Sequence, residues 1–216
     1  MARGRLTVIL ILIFSSRTHL APFRVSQMPS DSFVQLHLPR RPFLPEEKVR
    51  DAFHRLAAEH HPDKSGGESS RFAELTTAFE TLRNPVTLLK HLIDLENLAA
   101  GGDKPGIPPD LAEVFPVVAK IRQQIGAAIE KRRAASNALA RSLTAGESAD
   151  ARRSAEELSQ RLDAIYDTAL AELRQIDLAW PAPEARAALP ALHARFAFLT
   201  KWRDQLRESL LQLQLS

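Results

Sequence analysis

The chain has 216 residues, 44% of them hydrophobic and only 6% aromatic, and its apolar set is dominated by Leu and Ala, so the composition predicts an all-α protein. The absence of cysteine excludes disulfides, thiolate nucleophiles and Cys-ligated zinc or iron–sulfur clusters. Four of the 29 basic residues lie in the first 30 residues, which contain no acidic residue. The rest of the chain therefore has 25 basic against 26 acidic residues, which does not indicate nucleic-acid binding.

Residues 1–30 form a leader with a basic start and an apolar run from Leu6 to Phe14. The run is too short to span a bilayer as a helix, so no membrane association is expected. A signal peptide is one interpretation, although arginines follow the run where a cleavage site would be. The other is a gene-model extension upstream of Met28, which mass spectrometry of the native N-terminus would test.

Two amphipathic helices follow, within "PEEKVRDAFHRLAAEHH" and "SSRFAELTTAFETLRN". Each has one apolar stripe, and these stripes are Val49, Ala52, Phe53, Leu56 and Ala57 in the first helix and Phe72, Leu75, Ala78, Phe79 and Leu82 in the second. Pro62 ends the first helix, and Asn84-Pro85 ends the second and begins another. The pattern predicts a helical hairpin whose seam is covered by the short apolar segment "SFVQLHLP".

A Gly- and Pro-rich stretch, 97–109, is predicted to be a linker. Beyond it, 110–216 is predicted to form a three-helix bundle, with helices over about 110–143, 149–178 and 184–214. The first apolar stripe is expected to include Leu139 and Leu143. Pro116 lies inside that helix and predicts a kink or a later start.

The segment "LAAEHHPDKSGG" joins the two hairpin helices and allows several interpretations. His-Pro-Asp is plausible as an ordinary turn. An enzymatic role lacks a nucleophile and a paired-carboxylate constellation. A metal site would recruit His54, His60, His61 and Asp63, but His54 and His61 lie two helical turns apart, roughly 10 Å in rise. We therefore predict no catalytic residue, no metal and no cofactor.

In their order and spacing, "DSFVQLHLP", "AFHRLAAEHHPDK" and "FAELTTAFETLRNP" resemble the successive signatures of a J-domain. The similarity continues through "LRNPVTLLKHLIDLEN" and "FLTKWRDQLRESLLQL", which resemble later parts of HscB-type co-chaperones. The resemblance implies a J-domain over 31–96 followed by the bundle. It also implies a co-chaperone that stimulates the ATPase of a DnaK/HscA-type chaperone and delivers an IscU-type scaffold in iron–sulfur cluster assembly.

On this resemblance the chaperone-binding residues are His61, Pro62, Asp63 and Lys64 in the loop, with Arg50 and Arg55 on the first hairpin helix. Pro62 fixes the turn, so Asp63 is presented with little ordering cost to an arginine of the partner. The plainer interpretation of Arg50 and Arg55 is a solvated helix face.

The candidate scaffold-binding residues are Leu111, Phe115 and Phe198, for which bundle core is the alternative interpretation. The family's scaffold-binding helix is rich in glutamate, whereas "DLAEVFPVVAKIRQQIG" is largely apolar or basic. Other departures are His60 where tyrosine is usual and His37 where glycine is usual. If that second position requires a positive φ, histidine is uncommon there.

We expect a cytoplasmic monomer that is not an enzyme. One alternative is a J-domain protein for a different client, which a pull-down would distinguish. Another is a helical adaptor in which the loop is incidental, and which would form a long, self-associating species in light scattering.

Overall fold

Seven α-helices and one 3₁₀ helix make up the part of the chain that the computed structural model describes, namely residues 30–60, 69–98 and 106–215. In chain order these are α1 (Ser32–Gln35), α2 (Glu46–Glu59), α3 (Ser69–Leu82), α4 (Pro85–Leu95), the 3₁₀ helix (Pro109–Leu111), α5 (Val114–Ala134), α6 (Ala138–Leu178) and α7 (Pro183–Leu215). These ranges contain no β-strand. The all-α prediction is confirmed.

Helices α2 and α3 pack on each other through the apolar stripes that the sequence predicts. Leu56 and Leu75 are buried, and the ring of Phe53 stacks on that of Phe79 with 4.7 Å between centroids. Glu46 and Glu47 lie in the first turn of α2, where their charges favour the positive end of the helix dipole. The predicted helical hairpin is therefore present, with its aromatic residues inside the seam.

Helix α1 is only four residues long, and it packs on α3 with Phe33 fully buried. The Asp31 carboxylate caps it by accepting from the amides of Phe33 and Val34 at 2.9 and 3.3 Å. The helix ends at Gln35, and His37, two residues later, has a φ of 55°. The amides of His37 and Leu38 donate back to the carbonyls of Val34 and Phe33 at 3.1 and 2.8 Å. The histidine therefore occupies the left-handed position that glycine favours at a helix end.

Replacing His37 with glycine is expected to raise the free energy of unfolding by about 1 kcal/mol, because glycine adopts a positive φ without the steric cost that a Cβ imposes. Asn97, with φ 52° after α4, provides a matched control. Asparagine tolerates this conformation, so Asn97→Gly should stabilise less. Urea denaturation of both variants measures the difference. A His37→Gly protein no more stable than the parent would show that the histidine side chain compensates for its strain.

The three helices after the 3₁₀ helix form the predicted bundle, since α5, α6 and α7 all pack on one another. The predicted boundary between the first two bundle helices, which placed a break between residues 143 and 149, is wrong. α5 ends at Ala134, and α6 runs without a break through the region where we expected one. Asn137 starts α6, its Oδ1 accepting from the Ala140 amide at 2.8 Å. Gly146 is tolerated inside α6, where it is exposed.

This shift in the boundary changes the environment of two residues. Leu139 and Leu143 were expected on the buried stripe of the first bundle helix. They lie instead in the first turns of α6 and are 71% and 69% exposed. For Pro116, the second of the two predicted alternatives, a later start of the helix, is observed. Because α5 begins at Val114, the proline sits in the first turn, where its missing N–H would have no helical partner.

The α1–α4 segment and the bundle contact each other directly within one compact unit, Asp31–Ser216. Helix α4 packs along α7. The Arg41 guanidinium meets the Asp177 carboxylate, with Nε–Oδ1 and Nη2–Oδ2 distances of 3.0 and 2.9 Å. Arg186 pairs with Glu96 at 2.7 Å. The division into 31–96, 97–109 and 110–216 stays a prediction, since 99–105 lie outside the described residues.

Candidate functional site

The predicted chaperone-binding loop lies between the two hairpin helices. His61, Pro62, Asp63 and Lys64 fall within 61–68, outside the described residues. The structure gives the boundaries of the loop: α2 ends at Glu59, and α3 begins at Ser69. The loop therefore connects two helices whose buried faces hold them together.

The other two predicted chaperone-binding residues lie on the outer face of α2. Arg50 and Arg55 are both exposed, and neither forms an ion pair with any described residue. The same helix also exposes Lys48 and the carboxylates of Glu46, Glu47, Asp51 and Glu59. Its exposed side chains thus carry three positive and four negative charges, so the helix has no net positive charge. Arg50 and Arg55 can still orient acidic groups of a partner locally while contributing little affinity.

The three predicted scaffold-binding residues have different environments. Leu111 lies in the 3₁₀ helix and is fully buried, whereas Phe115 in the first turn of α5 is 48% exposed. Phe198 on α7 is partly buried against the core. Both phenylalanines contact the ring of Trp202, with centroid distances of 6.2 Å from Phe115 and 5.7 Å from Phe198. We call Phe115, Phe198 and Trp202 the aromatic patch.

The sequence predicts two members of this patch, Phe115 and Phe198, but not the third, Trp202. Trp202 is four residues after Phe198, so the two share a face of α7. This spacing is the feature of the sequence from which Trp202 could have been predicted as part of the patch. Because Trp202 is only 4% exposed, it forms the floor beneath the phenylalanines and not a projecting contact. Leu111, with no exposed surface, can only support the patch from within.

Arg195 connects the segment before α5 to the other two bundle helices. The Arg195 Nε lies 2.7 Å from an Asp110 carboxylate oxygen, and its Nη1 donates to Glu172 at 2.6 Å. These ion pairs connect the 3₁₀ helix, α6 and α7. Arg195 is only 20% exposed, so its charge is partly shielded from water, and the two carboxylates beside it compensate for the lost hydration. The turn that begins α5 is thereby fixed to α7.

A buried histidine joins α1 to α4. The Ser32 amide donates to His91 Nε2 at 3.0 Å, and the imidazole stacks on the Phe33 ring at 5.7 Å. His91 is 8% exposed. Burial lowers the pKa of His91 below its usual value, although the Asp31 carboxylate acts in the opposite direction. Because Nε2 accepts a hydrogen bond, the neutral imidazole is the form that fits this site.

Acidification is expected to destabilise the protein through His91. With a folded-state pKa below the unfolded value, the unfolded chain binds the proton more readily, so the contribution is complete above about pH 6.5 and declines below it. His91→Gln should flatten the dependence of unfolding free energy on pH between about 7.5 and 5.5, because the amide oxygen can accept from Ser32 without titrating.

Urea denaturation across that pH range measures the effect. Some slope should remain in the variant, because burial also lowers the pKa of His193 on α7. Curves of equal slope for the parent and His91→Gln would show that His91 does not contribute to the acid sensitivity.

The described ranges contain neither a cluster of metal-ligating side chains nor a membrane-spanning helix. Within 30–60, 69–98 and 106–215, no three His, Asp or Glu side chains lie close enough together to hold a metal ion. The metal interpretation of the loop involves His61 and Asp63, so it falls outside those ranges. None of the described helices is both long and apolar enough to cross a lipid bilayer.

Comparisons with known proteins identify the fold. No protein-family model matches the chain, and no curated protein sequence matches it. The structure is similar to that of the chaperone HscB from Vibrio cholerae, with a TM-score of 0.51 and 16% sequence identity. The match covers 86% of this chain and 99% of the other. The predicted HscB-type architecture is confirmed at the level of the fold.

Proposed function

We propose that this protein is a co-chaperone of iron–sulfur cluster assembly. It stimulates the ATPase of a DnaK/HscA-type chaperone and delivers an IscU-type scaffold to it as client. One observation carries the proposal: His61-Pro62-Asp63 connects α2 to α3 in a chain with the fold of a known HscB chaperone.

The chaperone contact is assigned to the loop and to the outer face of α2. Pro62 restricts the backbone, which lowers the entropy that must be lost when Asp63 binds. A carboxylate presented in this way suits an arginine, whose planar donors give strong charge-assisted hydrogen bonds. Arg50 and Arg55, exposed and unpaired among the described residues, are placed to meet acidic groups of the same partner.

The client contact is assigned to the aromatic patch on the bundle. Phe115 presents about half of its surface, and Trp202 supports it from below. Exposed aromatic residues over a rigid base are the usual anchors of protein interfaces. In this assignment Phe115 and Phe198 contact the scaffold, and Leu111 contributes by fixing the turn before α5.

The proposed role involves two protein surfaces and no chemistry on a small molecule. The ion pairs Arg41–Asp177 and Arg186–Glu96 would keep the hairpin and the patch in a fixed relation while both partners are bound. The cytoplasmic location stays a prediction. The alternative is a J-domain protein that serves another client. The start of the bundle supports this alternative, because it is largely apolar or basic where the family is rich in glutamate.

The test is the ATP hydrolysis rate of the cognate DnaK-type chaperone with and without the full chain. The proposal predicts a clear increase in that rate, and a further increase when an IscU-type scaffold is added. An unchanged rate would contradict the co-chaperone role. Stimulation without any effect or binding of the scaffold would favour the different client.

A further inference from the structure

The aromatic patch continues along the groove between α5 and α7. Residues spaced by three or four positions lie on one face of each helix, and here both sets are exposed or partly exposed. We call this surface the α5–α7 seam; it consists of Phe115, Ala119 and Arg122 on α5 and Phe198, Lys201 and Gln205 on α7. It is apolar at the aromatic end and polar at the other.

Two positive charges lie along the seam. The Arg122 Nη1 donates across it to the Gln205 amide oxygen at 3.3 Å, which places the guanidinium over the groove. Lys201 is exposed on the facing helix. Among the described residues, neither side chain has a carboxylate partner. Arg122 follows Phe115 by two helical turns, about 10 Å along the axis.

Two acidic residues of α7 lie near the polar half of the seam. Asp204 pairs with Arg207 at 3.7 Å, whereas the Glu208 carboxylate accepts only from the neutral Gln212 amide at 3.4 Å and keeps its charge. Glu113 is exposed and unpaired among the described residues, but it precedes Phe115 at the aromatic end. The seam therefore has a direction: aromatic rings lie at one end, Lys201 follows beside them, and Arg122 lies further along.

We infer that the client's contacting segment is acidic, with an apolar side chain that packs on the aromatic patch and carboxylates within about 10 Å of it along the seam that meet Lys201 and then Arg122. This inference rests on the proposed function, because it describes the client of that same patch. Arginine suits carboxylates because its donors can pair with both oxygens. At an exposed rim such pairs act mainly on the association rate and are weakened by salt.

A charge-reversal pair tests the inference. The double variant R122E/K201E should weaken binding of the full chain to its cognate IscU-type scaffold at low salt by about tenfold, mostly through slower association. The conservative double variant R122K/K201R should bind like the parent. Biolayer interferometry over a range of salt concentrations gives the rate constants and their salt dependence.

The chain offers a matched control. Lys120 and Arg161 are also exposed, without a carboxylate partner among the described residues, and line the groove between α5 and α6 on another flank of the bundle. K120E/R161E makes the same change in residue type and net charge. It should alter the affinity by less than about twofold, because both side chains line the groove on the α6 side of α5.

The outcomes are distinct. Equal weakening by both double variants would show a general charge effect and overturn the inference, as would unchanged binding by R122E/K201E. In either case the scaffold still binds and the proposed function stands. If the parent does not bind the scaffold at all, the client assignment itself fails. A parent dimer that R122E/K201E dissociates in light scattering would place a second copy on the seam and also overturn the inference.

Discussion

Replacing Asp63 with asparagine is expected to abolish stimulation of the chaperone ATPase while leaving the fold unchanged. Asparagine has the shape of aspartate but no charge, so it loses the charge-assisted hydrogen bonds that a carboxylate forms with an arginine. The loop joins α2 to α3, and the described helix residues Val49, Leu56, Leu75 and Leu82 form a buried hairpin core. The free energy of unfolding should therefore change by no more than about 0.5 kcal/mol.

The assay compares ATP hydrolysis by the cognate chaperone with the parent, with Asp63→Asn and with a control. Asp167 on α6 is a suitable control, since it is exposed and forms no ion pair with a described residue. Asp167→Asn removes the same charge and should stimulate like the parent. If Asp63→Asn retained full stimulation, the assignment of that carboxylate would be wrong. If it unfolded, the loop would have a structural role instead.

Most of the fold could be predicted because its determinants are local. Apolar residues at helical spacing define the stripes of α2 and α3, and Asn84-Pro85 combines a cap with the residue favoured at the first helical position. His37 shows the same principle in a finer detail. The family usually has glycine at this position, which suggests a left-handed backbone conformation, and His37 adopts that conformation. Caps, prolines and periodicity each act within a few residues, so one sequence reveals them.

The boundary between α5 and α6 could not be predicted in this way. Ala135 and Ser136 resemble helix interior as much as connection, and the Gly146 region resembles a break more than Asn137 does. The choice between them depends on which register lets α6 pack on both neighbours. Gly146 costs about 1 kcal/mol relative to alanine, which packing along a helix of 41 residues readily offsets.

The site was predicted unevenly for a related reason. Phe115 and Phe198 were named from resemblance, but their meeting on Trp202 depends on how α5 lies against α7. The ion pairs of Arg195 connect residues far apart in the chain, and so does the contact of Arg41 with Asp177. Contacts of this kind leave no local pattern in a single sequence. Leu111 illustrates the consequence, since an apolar residue beside an exposed one is equally consistent with core and with contact.

Truncating Leu111 and Phe115 to alanine should separate these two roles. Leu111 is fully buried, so Leu111→Ala removes packed methyl groups and leaves a cavity, with an expected loss of about 2–5 kcal/mol in the free energy of unfolding. Phe115 is 48% exposed and packs on one side only. Phe115→Ala should cost about 1 kcal/mol or less in stability, while weakening scaffold binding at least tenfold.

Urea denaturation gives the stabilities, and calorimetric titration with the scaffold, well below the melting temperature, gives the affinities. Phe115→Ala tests the client contact because the loss of binding cannot be attributed to unfolding. Val34, exposed on α1 and remote in sequence from the bundle, provides the control: Val34→Ala should change neither quantity appreciably. Equal destabilisation by Leu111→Ala and Phe115→Ala would assign Phe115 to the core. If Phe115→Ala bound the scaffold with full affinity, the client would bind elsewhere. Trp202 is nearly buried, so without the Phe115 ring it offers little surface to a side chain of the scaffold.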